Sequence, residues 1–201
     1  MSRYRTRSWR AFDPGAARAP LAPAPGLRIL GLDPGSRRTG YGIIEHRGAE
    51  WVHVAHGCVT VTGAAQALPE RLRVIFESLR ELICAHGPGE VAIERVFVNR
   101  NVDSALKLGQ ARGAALCAVP KGLPVFEYAP RAIKLALVGS GAADKIQVAH
   151  MIRALLGLEG RISPDAADAL AVAVCHAHSR RLEELALRAA APAATSEATT
   201  R

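Results

Sequence analysis

The stretch that most constrains the fold is Leu27 to Glu45. An apolar run rich in branched residues ends on Asp33, Pro34-Gly35 turns the chain, and Gly40 to Ile44 leads out as a second strand. A chain with this pattern places Asp33 where a core strand meets solvent. Gly35, Gly40 and Gly42 leave the backbone uncovered beside that carboxylate, an arrangement suited to close approach by a bulky anion or its metal ion. The triplet alone carries little weight. Asp13-Pro14-Gly15 repeats it with no apolar strand before it and no glycine-spaced strand after it, so Asp13 is given no role.

Strand, Asp, turn and strand together are compatible with two classes. One is the polynucleotidyl transferases of the ribonuclease H type; the other is the sugar-kinase or actin-type ATPases, whose hairpin grips a phosphate. A length of 201 residues suits one domain. It leaves no room for the second lobe that a kinase-type ATPase needs. No apolar stretch is long enough to span a membrane and the first residues lack the apolar core of a secretory signal, so a soluble cytoplasmic protein is expected.

The formal net charge of +8 points to an anionic partner. Half of it lies in residues 1–26, where Arg3, Arg5, Arg7, Arg10 and Arg18 face the single acid Asp13. That segment mixes arginine, alanine and proline without apolar periodicity and reads as a disordered basic arm. Residues 189–201, rich in Ala, Thr and Ser, read as a disordered tail, which leaves 27–188 as the folded domain. Cys58, Cys84, Cys117 and Cys175 stand far apart with no Cys-x-x-Cys pair, and are expected as small buried apolar residues. His176 and His178, two apart on a helix, do not share a face and are expected as core or surface filler.

Along the chain, Trp51 to Thr62 alternates and completes an antiparallel meander, and Leu68 to Ile83 has helical spacing that His86-Gly87-Pro88-Gly89 stops. Glu90 to Glu94 follows as a strand. A strand, helix, strand order implies a right-handed crossover that lays this strand parallel to the first in the same sheet, and if the two are neighbours Glu94 emerges at the same sheet end as Asp33. Ser104 to Val119 predicts a helix full of small residues, open to close approach by another backbone. Pro124 to Tyr128 is a short strand and Pro130 to Val138 a short helix. Asp144 caps a helix closed by Gly157, and Ser163-Pro164 opens the last helix.

On that last helix Asp165 and Asp168 are three apart, with Cβ atoms roughly 5–6 Å from one another. Ala166, Ala167 and Ala169 supply no local cation, so a bound metal is the natural way to neutralise the pair. Asp165 also sits in the first turn, where the helix dipole favours the ionised form. Asp33, Glu94, Asp165 and Asp168, without histidine or thiol, make a hard oxygen set suited to Mg²⁺ or Mn²⁺. Two such ions about 3.5–4 Å apart perform nuclease chemistry on a phosphodiester.

From Arg28 to His178 the chain resembles the RuvC family of Holliday junction resolvases. The resemblance rests on Gly-Leu-Asp-Pro-Gly with Thr-Gly-Tyr-Gly, Ala-Ile-Glu-Arg-Val-Phe, Asp-Ser-Ala-Leu-Lys-Leu-Gly-Gln-Ala-Arg-Gly, Gly-Ser-Gly-Ala-Ala-Asp-Lys-Ile-Gln-Val and Asp-Ala-Ala-Asp-Ala-Leu-Ala-Val-Ala. It implies an α/β ribonuclease H-like fold, a five-stranded mixed sheet flanked by helices. It also implies a homodimer that nicks opposed strands of a four-way junction with Mg²⁺, two ions per site, and works with RuvA and RuvB. The family's four metal-binding acids map onto Asp33, Glu94, Asp165 and Asp168. Lys134 and Lys145 match basic positions of its DNA-binding surface, Phe97 matches an aromatic at the junction centre, and Arg100 lies on the same DNA-facing loop. Arg95, where the family usually carries Gln, and Val98-Asn99-Arg100 depart from the familiar pattern. A related nuclease of the same fold, acting on other RNA or DNA structures, is the rival reading, and a non-catalytic DNA-binding module a more distant one.

Overall fold

The computed structural model describes residues 26–61, 67–95 and 101–190. Phe97, Arg100, the basic arm up to residue 25 and the tail from 191 lie outside them. Strands β1 (Arg28–Asp33), β2 (Arg38–Arg47), β3 (Glu50–Thr60), β4 (Glu90–Glu94) and β5 (Val125–Tyr128) form one sheet in the order β3-β2-β1-β4-β5. The first three are an antiparallel meander; β4 and β5 join parallel to β1. Helices α1 (Leu68–His86) and α2 (Val102–Ala118) cover one face, and α3 (Pro130–Val138), α4 (Lys145–Leu155) and α5 (Pro164–Ala190) cover the other. Among the described residues no helix is long and apolar enough to cross a membrane.

Strict alternation along β1, β2 and β4 sorts the core. Leu30, Leu32, Ile43, Val91 and Ile93 pack with Ile75 and Leu79 of α1 and Ala111 and Ala115 of α2. Ile29, Ile44 and Ala92 turn the opposite way, against Leu170 and its neighbours on α5. Nearly all of these side chains are withdrawn from water, each worth about 1.5–3 kcal/mol for a full-sized aliphatic group. Because β4 is parallel to β1 with Leu32 opposite Ile93, Asp33 and Glu94 follow side by side at one sheet end. The parallel pairing expected from the order of elements is present, with β4 as the neighbour of β1.

The glycines of the hairpin serve a different end from the one their spacing suggests. A Cβ on Gly40 would lie 2.0 Å from the carbonyl oxygen of Asp165, one on Gly31 2.1 Å from that of Ala169, and one on Gly42 2.5 Å from Leu170 Cγ. These positions are covered by α5, not open to a substrate. The sheet is bare there so that a helix backbone can lie directly on it.

In β3 the register slips once: Ile43 pairs with Ala55 and Ile44 with His53, leaving Val54 as an extra residue. This bulge puts His53 and His56 on one face, with Nδ1 of His56 2.8 Å from Nε2 of His53. Asp144 caps α4 with a full capping box, its side chain accepting from the Gln147 N–H, and Gly157 follows the helix in the left-handed conformation. Helix α5 runs to Ala190, past the boundary expected at 188. The cysteines correct the expectation of burial: Cys175 is buried and Cys58 half-buried, but Cys84 and Cys117 are exposed on the outer sides of α1 and α2.

His176 is more than filler. It is buried in the core, its Nε2 2.8 Å from Glu90 Oε2 and its Nδ1 2.7 Å from the Tyr128 hydroxyl, with its ring stacked on Phe126. Arg180 pairs with the other oxygen of Glu90. One turn of α5 is thereby bound to β4 and to the edge strand β5. His178 is half-buried and approaches the Ala136 carbonyl.

Candidate active site

Asp33 and Glu94 stand at the carboxyl ends of neighbouring parallel strands, on the face that α5 covers. Across from them the first turns of α5 supply Asp165 and Asp168. Ser163 starts that helix as expected, its Oγ accepting from the Ala166 N–H at 3.3 Å, with Pro164 as first helical residue. The contact of Gly40 with the Asp165 backbone sets how close the helix comes to the sheet.

Crowding of the acids appears in their protonation. The carboxyl of Asp33 is pushed up to about 7, first by burial and then by the charges of Glu94 and Asp168. Glu94 is also raised, by burial and by Asp168. Burial and mutual repulsion of this kind are the electrostatic condition for a divalent cation with oxygen ligands.

The two helix acids are not unpaired, as their alanine neighbours suggest. Arg38 Nε lies 2.8 Å from Asp165 Oδ2, and Lys145 Nζ donates to Asp168 Oδ2 at 2.9 Å. Both cations come from remote parts of the chain. The Lys145 ammonium is held above its ordinary range by its hydrogen bond to Asp168. Cys58 Sγ lies 3.8 Å from Asp165 Oδ2, a neighbour that the sequence did not signal. With Asp165 turned to Arg38 and Asp168 to Lys145, no three acidic, histidine or cysteine side chains among the described residues converge closely enough to hold an ion. The donor chemistry, all carboxylate oxygen, is that of a Mg²⁺ or Mn²⁺ site.

Lys134 and Lys145 line one cleft of about 200 Å³ together with Glu94 and Asp168. The matched lysines therefore sit beside the acids, although α3 and α4 carry them. Arg112 is a residue that sequence reading passed over as part of a small-residue stripe. Its Nε donates to the Glu94 carbonyl at 3.3 Å and its Nη2 lies 2.8 Å from Glu127 of β5. Arg95 lies 3.6 Å from the same Glu127, and its N–H donates to the Tyr128 carbonyl. These contacts fix the strand end that carries Glu94.

Comparison with known proteins places this geometry. A family model described as crossover junction endodeoxyribonuclease RuvC matches residues 29–176. A protein of that description from Alkalilimnicola ehrlichii is 55% identical over 166 residues, spanning 82% of this chain and 99% of its own length. The solved T. thermophilus RuvC in complex with Holliday junction substrate superposes with a TM-score of 0.72 at 35% identity, covering 78% of this chain and 96% of the other. The yeast mitochondrial Holliday junction resolvase shares the fold, with a TM-score of 0.62 at 11% identity and coverage of 83% and 86%. The match runs from the first strand to the buried histidine of the last helix and takes in all four carboxylates, so the chain belongs to the RuvC family of crossover junction endodeoxyribonucleases, which resolve Holliday junctions in DNA recombination and repair.

Proposed function

We propose that Asp33, Glu94, Asp165 and Asp168 hold two Mg²⁺ ions, for which Mn²⁺ can substitute, and that the chain uses them to nick four-way junction DNA. Burial, and after it the charges of Glu94 and Asp168, push the Asp33 carboxyl up to about 7 and carry this reading, because a site built of buried, mutually repelling carboxylates is relieved by a divalent cation. The family is one of metal-dependent nucleases. When bound, paired ions about 3.5–4 Å apart activate a water and stabilise the leaving 3′-oxygen of an in-line displacement.

The protein's own part is positioning. Asp33 and Glu94, on sheet strands, are the fixed half of the site. Asp165 and Asp168 are the half that must exchange partners, releasing Arg38 and Lys145 toward the phosphates of the incoming strand. Lys134, in the same cleft as Glu94, adds a third cation. Phe97 and Arg100, outside the described residues, belong to the segment that follows Glu94. Phe97 stacks on bases opened at the junction, and Phe97→Ala then slows cleavage while leaving the melting temperature nearly intact. The structure of the T. thermophilus relative with a Holliday junction substrate supports the choice of substrate.

A homodimer is supported by α2. Val102, Leu106, Gly109 and Gly113 fall on one stripe at i, i+4, i+7 and i+11; Val102 and Leu106 are exposed, and a Cβ added to either glycine meets nothing. A two-fold pair of such helices would offer two equal sites to a substrate with its own two-fold axis. RuvA and RuvB are the partners that family membership suggests. The deciding experiment is cleavage of a synthetic four-way junction, a linear duplex and an RNA/DNA hybrid, each with Mg²⁺ and with Ca²⁺. Paired nicks in the junction alone, with Mg²⁺ only, are expected; equal cutting of the hybrid would favour a different nuclease of the same fold.

A further inference from the structure

The acidic site does not end at Lys145 and Asp168. These two residues also form one wall of a second cleft, of about 500 Å³, that continues outward between α4 and the segment leading into α5. The first cleft holds Glu94 and Lys134, so together they make one two-lobed groove with the Lys145–Asp168 pair at its waist. The outer lobe has a mixed lining. Ile146, 81% exposed, and Ile162 give it an apolar surface, while His150, Arg153 and Arg161 bring nitrogen donors. Among the described residues no carboxylate pairs with Arg153 or Arg161.

Each part of that lining matches part of a nucleotide. The volume falls in the range of ligand clefts, large enough for one nucleotide. Arginine side chains without acidic partners suit phosphate oxygens, which they can grip with two parallel hydrogen bonds. Ile146 and Ile162, lining the same cleft as the two arginines, offer an apolar surface against which a sugar or base can be buried. The waist gives the strand a path, because the outer lobe opens past Lys145 and Asp168 directly from the cleft that holds Glu94.

We propose that the outer lobe is a flanking-nucleotide subsite, in which Arg153 and Arg161, assisted by His150, hold a phosphate of the cleaved strand next to the scissile one while Ile146 covers the adjoining sugar or base. This rests on the junction-cleavage reading of the acidic site. The subsite sets how the strand is threaded, so it acts on substrate binding and register more than on the hydrolytic step.

The test is a set of junctions in which a single neutral methylphosphonate replaces each phosphate flanking the cut in turn. The wild-type protein and Arg153→Ala/Arg161→Ala are compared at several salt concentrations. The double variant should bind the unmodified junction on the order of tenfold more weakly per lost contact at 0.1 M salt, with the salt slope reduced by about 0.9 for each. The methylphosphonate that weakens wild-type binding at one flanking position should then cost the variant nothing further, the signature of a shared contact. Ile146→Ser should weaken binding with the slope unchanged. Lys121→Ala, which removes one charge on the opposite face of the sheet, is the control for a general loss of positive charge. Wild-type affinity in the double variant, or losses that multiply at every flanking position, would overturn the subsite. Absence of junction cleavage by the wild-type protein would instead overturn the reading beneath it.

Discussion

Gly40 of the second strand lies beneath the backbone of Asp165, so close that a methyl group would come within 2.0 Å of its carbonyl oxygen. The neighbour is helix backbone and cannot rotate away. Gly40→Ala should therefore lift the start of α5 from the sheet, at about 1–3 kcal/mol or more for an overpacked site. Urea unfolding should show that loss, and junction cleavage should fall further than the loss of folded protein explains. A variant with wild-type stability and rate would mean that the contact is not a constraint.

Asp33 is the acid under the greatest pressure. Asp33→Asn removes a charge that burial first, and the neighbouring acids second, disfavour, so the melting temperature of the metal-free protein should rise. Added Mg²⁺, which should stabilise the wild-type protein, should then stabilise the variant much less. Cleavage should be abolished and junction binding retained. Normal Mg²⁺-dependent cleavage by this variant would falsify the ligand assignment.

Lys145 is 78% exposed on its side chain, so its pair with Asp168 contributes about 0–1 kcal/mol to folding. Lys145→Ala and Lys134→Ala should leave unfolding midpoints nearly unchanged while weakening junction binding, each reducing the salt slope by about 0.9. Unaltered slopes for both would remove them from the DNA surface.

Glu90 contributes a pH dependence on the acid side. Burial raises its pKa, but the hydrogen bond from His176 and the charge of Arg180 outweigh it and hold the group below its ordinary value of 4.5. An acid with a lowered folded value contributes stability that is complete above its unfolded value and is lost as pH falls through the folded one. Glu90→Gln should thus be less stable than wild type at neutral pH, and the two should converge as pH drops below about 4.5. Parallel curves down to the acid limit would show that Glu90 is not the group responsible.

The α2 stripe gives the assembly test. Leu106→Glu, and separately Gly109→Glu, should yield a folded protein of monomer mass in light scattering that makes at most one nick per junction. If neither changes the mass, α2 is not a two-fold contact.

Much of the fold can be read in the sequence because it depends on local pattern: the apolar run into Asp33, the Asp144 and Ser163 caps, the small residues of α2 and the parallel placement of β4. The clustering of Asp33 and Glu94 follows once β4 lies parallel to β1 as its neighbour, and the order of elements signals the direction but not the adjacency. What could not be read depends on pairs far apart in the chain. Arg38 reaches Asp165, and Lys145 reaches Asp168, only once α5 has been laid on the sheet. The same holds for the glycines, whose spacing signals bare backbone without saying whether helix or substrate will cover it. Arg112 gave no signal beyond its place in a small-residue helix, and Cys84 and Cys117 follow helix faces that thiol chemistry does not dictate.

The extra residue in β3 acts as a phase marker for everything after it. Val54 shifts the alternation by one, and only in the shifted phase does Cys58 share a face with Gly40 and reach Asp165. A strand with Val54 deleted could keep its ladder to β2, but one part of it would have to carry its side chains on the wrong face. Either the His56 to Thr60 segment turns inside out beside the acids, or the whole lead from Glu50 does so at the far end. Length in this strand is therefore fixed to the residue, even though β3 lies on the outer edge of the sheet, where insertions and deletions are ordinarily best tolerated.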